Sequence, residues 1–138
     1  MRNKVFFDTN LLVYAYNSDD MGKHEIAFNL LKSWDYDTEK LISIQVLNEF
    51  SSCLIKHKIS LQVIEDYLKE IINSINIHQI RTHTTLNAVK LKQKYGYSWW
   101  DSLLLSSALE NNCSIIYSED MQHCQIIENS LKIINPFV

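Results

Sequence analysis

The 138-residue chain holds only two Gly and one Pro. That shortage excludes collagen-like, linker-rich and low-complexity readings, and an all-β fold with many tight turns would need more of both. It also excludes a glycine-rich phosphate loop, because Gly22 and Gly96 lie too far apart to share one. A basic excess is missing too. The formal net charge is −3, whereas polyanion binders gain affinity by neutralising phosphates and usually carry a positive balance. Cys53, Cys113 and Cys124 form an odd set without a CxxC or Cys/His ligand spacing, which reads as reduced thiols in the cytoplasm rather than as a disulfide framework. The apolar run Val5–Phe7 stops at Asp8, and no run approaches the roughly 20 residues of a membrane span. The five His are scattered and set up no Ser/His/Asp or zinc spacing.

What is present is an alternation of apolar runs with helical periods. Val5–Phe7, Leu41–Ile44, Ile75–Ile80 and Ser114–Tyr117 read as strands, and Leu131–Ile134 as a short fifth halted by Pro136. Between them, apolar spacings predict a short helix around Leu11–Tyr16, one from Lys23 to Trp34, and one from Gln45 bearing Val46, Leu47, Phe50 and Leu54. Further helices follow from Ser60 to Ile75, from Thr84 to Tyr95 with Gly96 as C-terminal cap, and from Ser98 to about Asn111. This pattern predicts one α/β domain over residues 1–138, with a central, mainly parallel sheet of four to five strands covered on both faces. Ligands of such sheets bind beyond the carboxyl ends of the strands.

Four carboxylates stand in such places. Asp8 follows the first strand, where an Asp also serves as a helix N-cap. Asp101 falls among Trp100, Leu104, Leu105 and Ala108 on its helix, with Ser102, Ser106 and Glu110 opposite. A carboxylate in an apolar face is costly unless something meets it, although Ser98 and Asp101 also fit a capping box. Glu49 edges the apolar stripe of its helix and, judged alone, reads as a solvated residue paired with Lys56. Asp120 follows the fourth strand; its neighbour Glu119 should point the opposite way in extended chain. Carboxylates that converge on one crevice repel each other, and a hard divalent cation such as Mg²⁺ or Mn²⁺ relieves that repulsion. Lys90, Lys92 and Lys94, with Arg81 and His83, form the best basic concentration, but on a helix they fan out over a solvated surface. Trp99 and Trp100 could stack on bases, although Trp100 reads as core, while Trp99 turns toward the polar side of its helix.

The succession Phe7-Asp8-Thr9-Asn10, Asn48-Glu49-Phe50, Trp100-Asp101 and Ser118-Glu119-Asp120 resembles the PIN-domain nuclease family, and most of all the VapC-like toxins of type II toxin–antitoxin pairs. The resemblance spans Val5 to Phe137. It implies a three-layer α/β/α domain and a Mg²⁺- or Mn²⁺-dependent endoribonuclease that leaves 5′-phosphate and 3′-hydroxyl ends. It further implies Asp8, Glu49, Asp101 and Asp120 as catalytic metal ligands, with Asn10 and Ser118 as supports around them. The implied partners are an RNA substrate, a cognate antitoxin and a second copy of the chain, with no membrane. A glycine is expected at Cys124, so the cysteine there bears on the local backbone. Two other readings share the fold, a housekeeping nuclease of RNA maturation and an inactive binding module. A haloacid-dehalogenase-like phosphatase fits less well, because Asp8-Thr9-Asn10 lacks a second Asp two residues on.

Overall fold

The structure, a computed structural model, describes residues 3–33 and 35–138. Trp34, assigned above to the second helix, lies outside them. The elements run β1 (Asn3–Phe7), α1 (Thr9–Tyr16), α2 (Met21–Lys32), β2 (Thr38–Ser43), α3 (Ile44–Lys56), α4 (Leu61–Ser74) and β3 (Asn76–His78). They continue with α5 (Thr82–Tyr95), α6 (Trp99–Glu110), β4 (Ile115–Tyr117), β5 (Ile126–Ile127) and β6 (Leu131–Ile134).

The sheet order is β3-β2-β1-β4-β6-β5. Every pairing is parallel except β5 with β6. The sheet therefore has six strands rather than four or five. The additional one, β5, is two residues long, too short to carry a periodicity. Val5, Phe6 and Phe7 are consecutive and all buried, as are Leu41, Ile42 and Ser43. Successive strand residues face opposite sides, so such runs require cover on both faces of the sheet. The helices supply it, with α1 packed on α2 and α3, α3 on α4, and α5 on α6. Phe6, Ile42, Phe50, Leu105, Ile116 and Ile133 lie fully buried in the core.

Local chemistry sets the ends of these helices. Ser43, Ser60 and Ser98 cap α3, α4 and α6 by accepting backbone N–H groups from Val46, Val63 and Asp101. Gly96 ends α5 with φ 79°, a left-handed conformation that glycine adopts without penalty. Helix α6 departs from the expected two-sided wheel. Ser102 and Ser106, assigned to a polar side, are buried, and Ser106 Oγ donates to the Thr84 carbonyl on α5. Glu110, at the far end of α6, meets His78 of β3, His83 Nε2 at 2.7 Å and the Thr84 hydroxyl at 2.8 Å. This cluster ties α6 to α5 and to the sheet edge.

Strand order reverses beside β1, which has β2 on one side and β4 on the other. The crevice at such a switch point opens beyond the carboxyl ends of the strands. Asp8 and Ser118 follow β1 and β4 directly there, and Asp8 N–H extends the ladder by donating to the Tyr117 carbonyl at 3.0 Å.

Candidate active site

A cleft of about 470 Å³ opens at this point, and Asp8, Glu49, Asp101 and Asp120 all line it. Residues 112 positions apart in sequence thus share one wall because β1 and β4 are paired in parallel, Phe7 beside Tyr117.

Asp8 sits at the bottom, only 4% exposed. Its Oδ1 accepts the Thr9 backbone N–H at 2.6 Å and its Oδ2 accepts the Ser118 hydroxyl at 2.7 Å. Asp8 thus caps α1 and lines the cleft at the same time. Burial pushes the Asp8 carboxyl up to about 7; the two donors pull it down, and the charges of Asp101 and Asp120 raise it further. Asp101, in the first turn of α6, is half-buried and also raised, chiefly by burial and then by Asp120 and Glu49, against a hydrogen bond with Ser98. These shared charge effects place the four acids in one electrostatic cluster.

Glu49 does not pair with Lys56. Its Oε1 accepts the Thr9 hydroxyl at 2.9 Å and the Gln45 amide at 3.2 Å. Asp120 Oδ2 accepts the Asn10 amide at 3.0 Å, and Asp120 N–H donates to Ser118 Oγ at 3.2 Å. Asn10 thus bonds one of the acids, and Ser118 bonds two. Glu119 turns away, in a bend beyond β4 rather than in extended strand, and accepts from Tyr14 Oη at 2.5 Å and Lys23 Nζ at 2.8 Å.

The cleft is lined, among the described residues, by six carboxylates, Asp19 and Asp20 with the four above, and by no Lys or Arg. Among the described residues no three His, Cys, Asp or Glu side chains stand close enough to enclose an ion. The donor set nevertheless fits a hard cation in kind. The acids offer only oxygen, no Lys or Arg among the described residues lines the cleft with them, and Asn10 Oδ1 beside them is buried without a hydrogen-bond partner. Mg²⁺ is commonly held by one or two carboxylates with waters completing its shell, so a wide arrangement suits it.

The sequence profile of the PIN domain matches residues 5–128. The chain belongs to the PIN domain family. Solved structures with the same fold include a toxin–antitoxin complex from Klebsiella pneumoniae, at TM-score 0.71 and 20% identity over 96% of this chain and 97% of that one. VapC20 of Mycobacterium tuberculosis, described as a sarcin–ricin loop cleaving toxin, matches at TM-score 0.69 and 17% identity over 84% and 89% of the two chains. VapBC2 of Rickettsia felis, bound to a DNA fragment from its promoter, matches at TM-score 0.68 and 19% identity over 96% and 99%. A search of curated proteins returns no match.

Within this PIN domain the sequence reading missed Thr9 and Gln45, which hold Glu49. Thr9 stood inside the quoted Phe7–Asn10 motif, and Gln45 one helical turn before Glu49, a spacing at which side chains meet. Trp100 is corrected outright: it is 58% exposed, not core. It sits in the first turn of α6, on the side away from the fully buried Ser102. The basic residues of α5 are absent from the cleft wall. Lys94 pairs with Glu128 at 2.6 Å and Lys92 donates to the Tyr97 carbonyl at 2.9 Å, so that concentration is largely spent on local contacts. Cys124, standing where glycine was expected, keeps a glycine-like φ of 70°.

Among the described residues no helix is long and apolar enough to cross a membrane.

Proposed function

We propose that the chain is a divalent-metal-dependent endoribonuclease, the toxin of a toxin–antitoxin pair, acting through Asp8, Glu49, Asp101 and Asp120. The observation that carries this reading is the convergence of those four carboxylates on one cleft, with Asp8 and Asp101 both raised, chiefly by burial and further by their neighbours' charge. Membership of the PIN family and the likeness of the fold to VapC and VapBC structures support it.

Asp8 and Asp101 would hold the principal ion, Mg²⁺ or Mn²⁺, with Glu49 beside them and Asp120 toward a second. Such an ion supplies a lowered pKa for water and a clamp on the phosphodiester oxygens. The protein's own part is positioning. Ser118 and the Thr9 N–H fix both oxygens of Asp8, Thr9 and Gln45 fix Glu49, and Asn10 fixes Asp120. Carboxylates held this way keep their geometry at the moment of reaction, which is what preorganised electrostatics requires. An antitoxin, an RNA substrate and a second copy of the chain are the partners this reading implies, in the cytoplasm.

The test is cleavage of total cellular RNA at neutral pH by protein freed of any partner, with Mg²⁺ or Mn²⁺ against EDTA. Discrete fragments with 5′-phosphate ends should form only with metal, and vanish in Asp8→Ala and Asp101→Ala. Unchanged cleavage by both variants overturns the assignment of the site. Intact RNA under every condition favours a binding module instead.

A further inference from the structure

A second groove, of about 640 Å³, borders the acidic cleft and shares Glu49 and Cys53 with it. Its volume lies in the range of small-ligand sites, about 300–1,000 Å³. Ile44, Ile80, Leu103 and Trp100 give it an apolar wall, and Lys56 and Gln45 line it as well. The nucleolytic reading leaves all of these except Gln45 without a task.

Trp100 is the unusual member. More than half of its surface is open, although it stands next to Asp101 in the same helical turn. An indole exposed at that position costs hydrophobic stabilisation that burial would have provided. Its backbone is tied to the acids. Gln45 Nε2 donates both to the Trp100 carbonyl and to Glu49 Oε1, each at 3.2 Å. Gln45 Oε1 is buried and has no hydrogen-bond partner, an acceptor left over beside the groove. Lys56 is exposed and, among the described residues, is the one Lys or Arg on the groove wall, whereas the cleft has none.

We infer that this groove is a nucleobase subsite: an unstacked base of single-stranded RNA, flanking the phosphate in the acidic cleft, stacks on Trp100, with the adjoining backbone phosphate at Lys56. The inference rests on the nuclease reading of the neighbouring cleft. Three features of the groove match that ligand. An aromatic face accepts any base and makes stacking the main source of single-strand affinity. A lone cation on a wall otherwise made of apolar and neutral polar side chains and Glu49 gives the phosphate one place to lie. The spare Gln45 acceptor is satisfied by an exocyclic amino group, which adenine and cytosine carry and uracil lacks.

The experiment measures binding of 12-nucleotide single-stranded RNAs, oligo(A) and oligo(U), by fluorescence anisotropy with Mg²⁺ present. Asp8→Asn serves as the cleavage-deficient background, and the RNA-cutting assay is run on the wild type in parallel. Adding Trp100→Ala should weaken binding by about 10-fold or more, the scale of one lost base stack, while Trp100→Phe keeps most of it. Oligo(A) should bind more tightly than oligo(U), and Gln45→Leu should narrow that gap. Wild-type protein that cuts RNA, with Trp100→Ala binding as tightly as its parent, overturns the subsite and leaves the nuclease reading standing. A Trp100→Ala change that turns a dimer into a monomer in sedimentation without altering RNA affinity assigns the tryptophan to a contact between copies, and likewise overturns it. Protein that neither cuts nor binds RNA overturns both readings.

Discussion

Ser118 and Asp8 share a buried hydrogen bond of 2.7 Å across 110 residues of sequence. The same hydroxyl oxygen accepts the Asp120 N–H at 3.2 Å, so one small side chain links the acid after β1 to the acid after β4. Ser118 is fully buried, and its removal would leave Asp8 Oδ2 without that donor.

Ser118→Ala should therefore cost about 1–2 kcal/mol of stability in urea denaturation, the usual penalty for orphaning a buried polar partner. The Ser118 hydroxyl holds the Asp8 carboxyl down. Without it Asp8 ionises at higher pH, and the acidic limb of the cleavage profile should move upward. An unshifted limb would separate Ser118 from the chemistry.

Asp8 itself should trade stability for function. Its carboxyl is pushed from 3.8 in the unfolded chain up to about 7 when folded. The folded protein thus binds more protons between those values, and stability falls as pH rises through that window. Asp8→Asn removes the buried charge. Without divalent metal, it should raise stability by about 1–3 kcal/mol at pH 8 and change little at pH 4. Mg²⁺ should stabilise the wild type and not the variant. Melting curves at the two pH values, with and without Mg²⁺, check this; parallel curves for both proteins would refute it.

Glu119 and Asp120 are adjacent but face different surroundings. Glu119 is engaged by Tyr14 and Lys23, whereas Asp120 faces the cleft beside Asn10. Asp120→Ala should lower metal-dependent cleavage by about 10-fold or more, the scale seen when groups around a metal are removed. Glu119→Ala should stay near the wild-type rate. A reversed ranking in single-turnover assays would exchange their roles.

Cys124 holds a left-handed backbone at φ 70° while its N–H donates to the Ile133 carbonyl at 2.7 Å. Side chains carry a penalty of about 1 kcal/mol or more there, and glycine carries none. Cys124→Gly should raise stability by about 0.5–1 kcal/mol. Cys124→Ala removes the thiol but keeps the strain, so it should not. Equal effects of the two variants in thermal melts would trace any gain to the thiol instead.

Much of this architecture was legible in the sequence because it depends on neighbours along the chain. Three-residue apolar runs mark β1 and β4, serine caps start α3, α4 and α6, and Gly96 ends α5, each a decision made within one or two turns of backbone. Glu119 points away from Asp120, but in a bend beyond β4, where Tyr14 and Lys23 hold it. The sequence also placed Asp8 and Asp120 after strands, and so at the edge where parallel sheets bind ligands. What local pattern could not decide was which long-range surfaces meet. The antiparallel β5 exists only because β6 offers it an edge. Ser102 and Ser106 are buried because α5 covers the side of α6 that a helical wheel leaves to water. Trp100 is exposed although Ser102, in the same turn of α6, is fully buried. Thr9 reaches Glu49 across 40 residues, and Ser118 reaches Asp8 across 110. Periodicity tells which face of an element is apolar, but only the packed layers determine which residues water is kept from, and which acids must share a cleft.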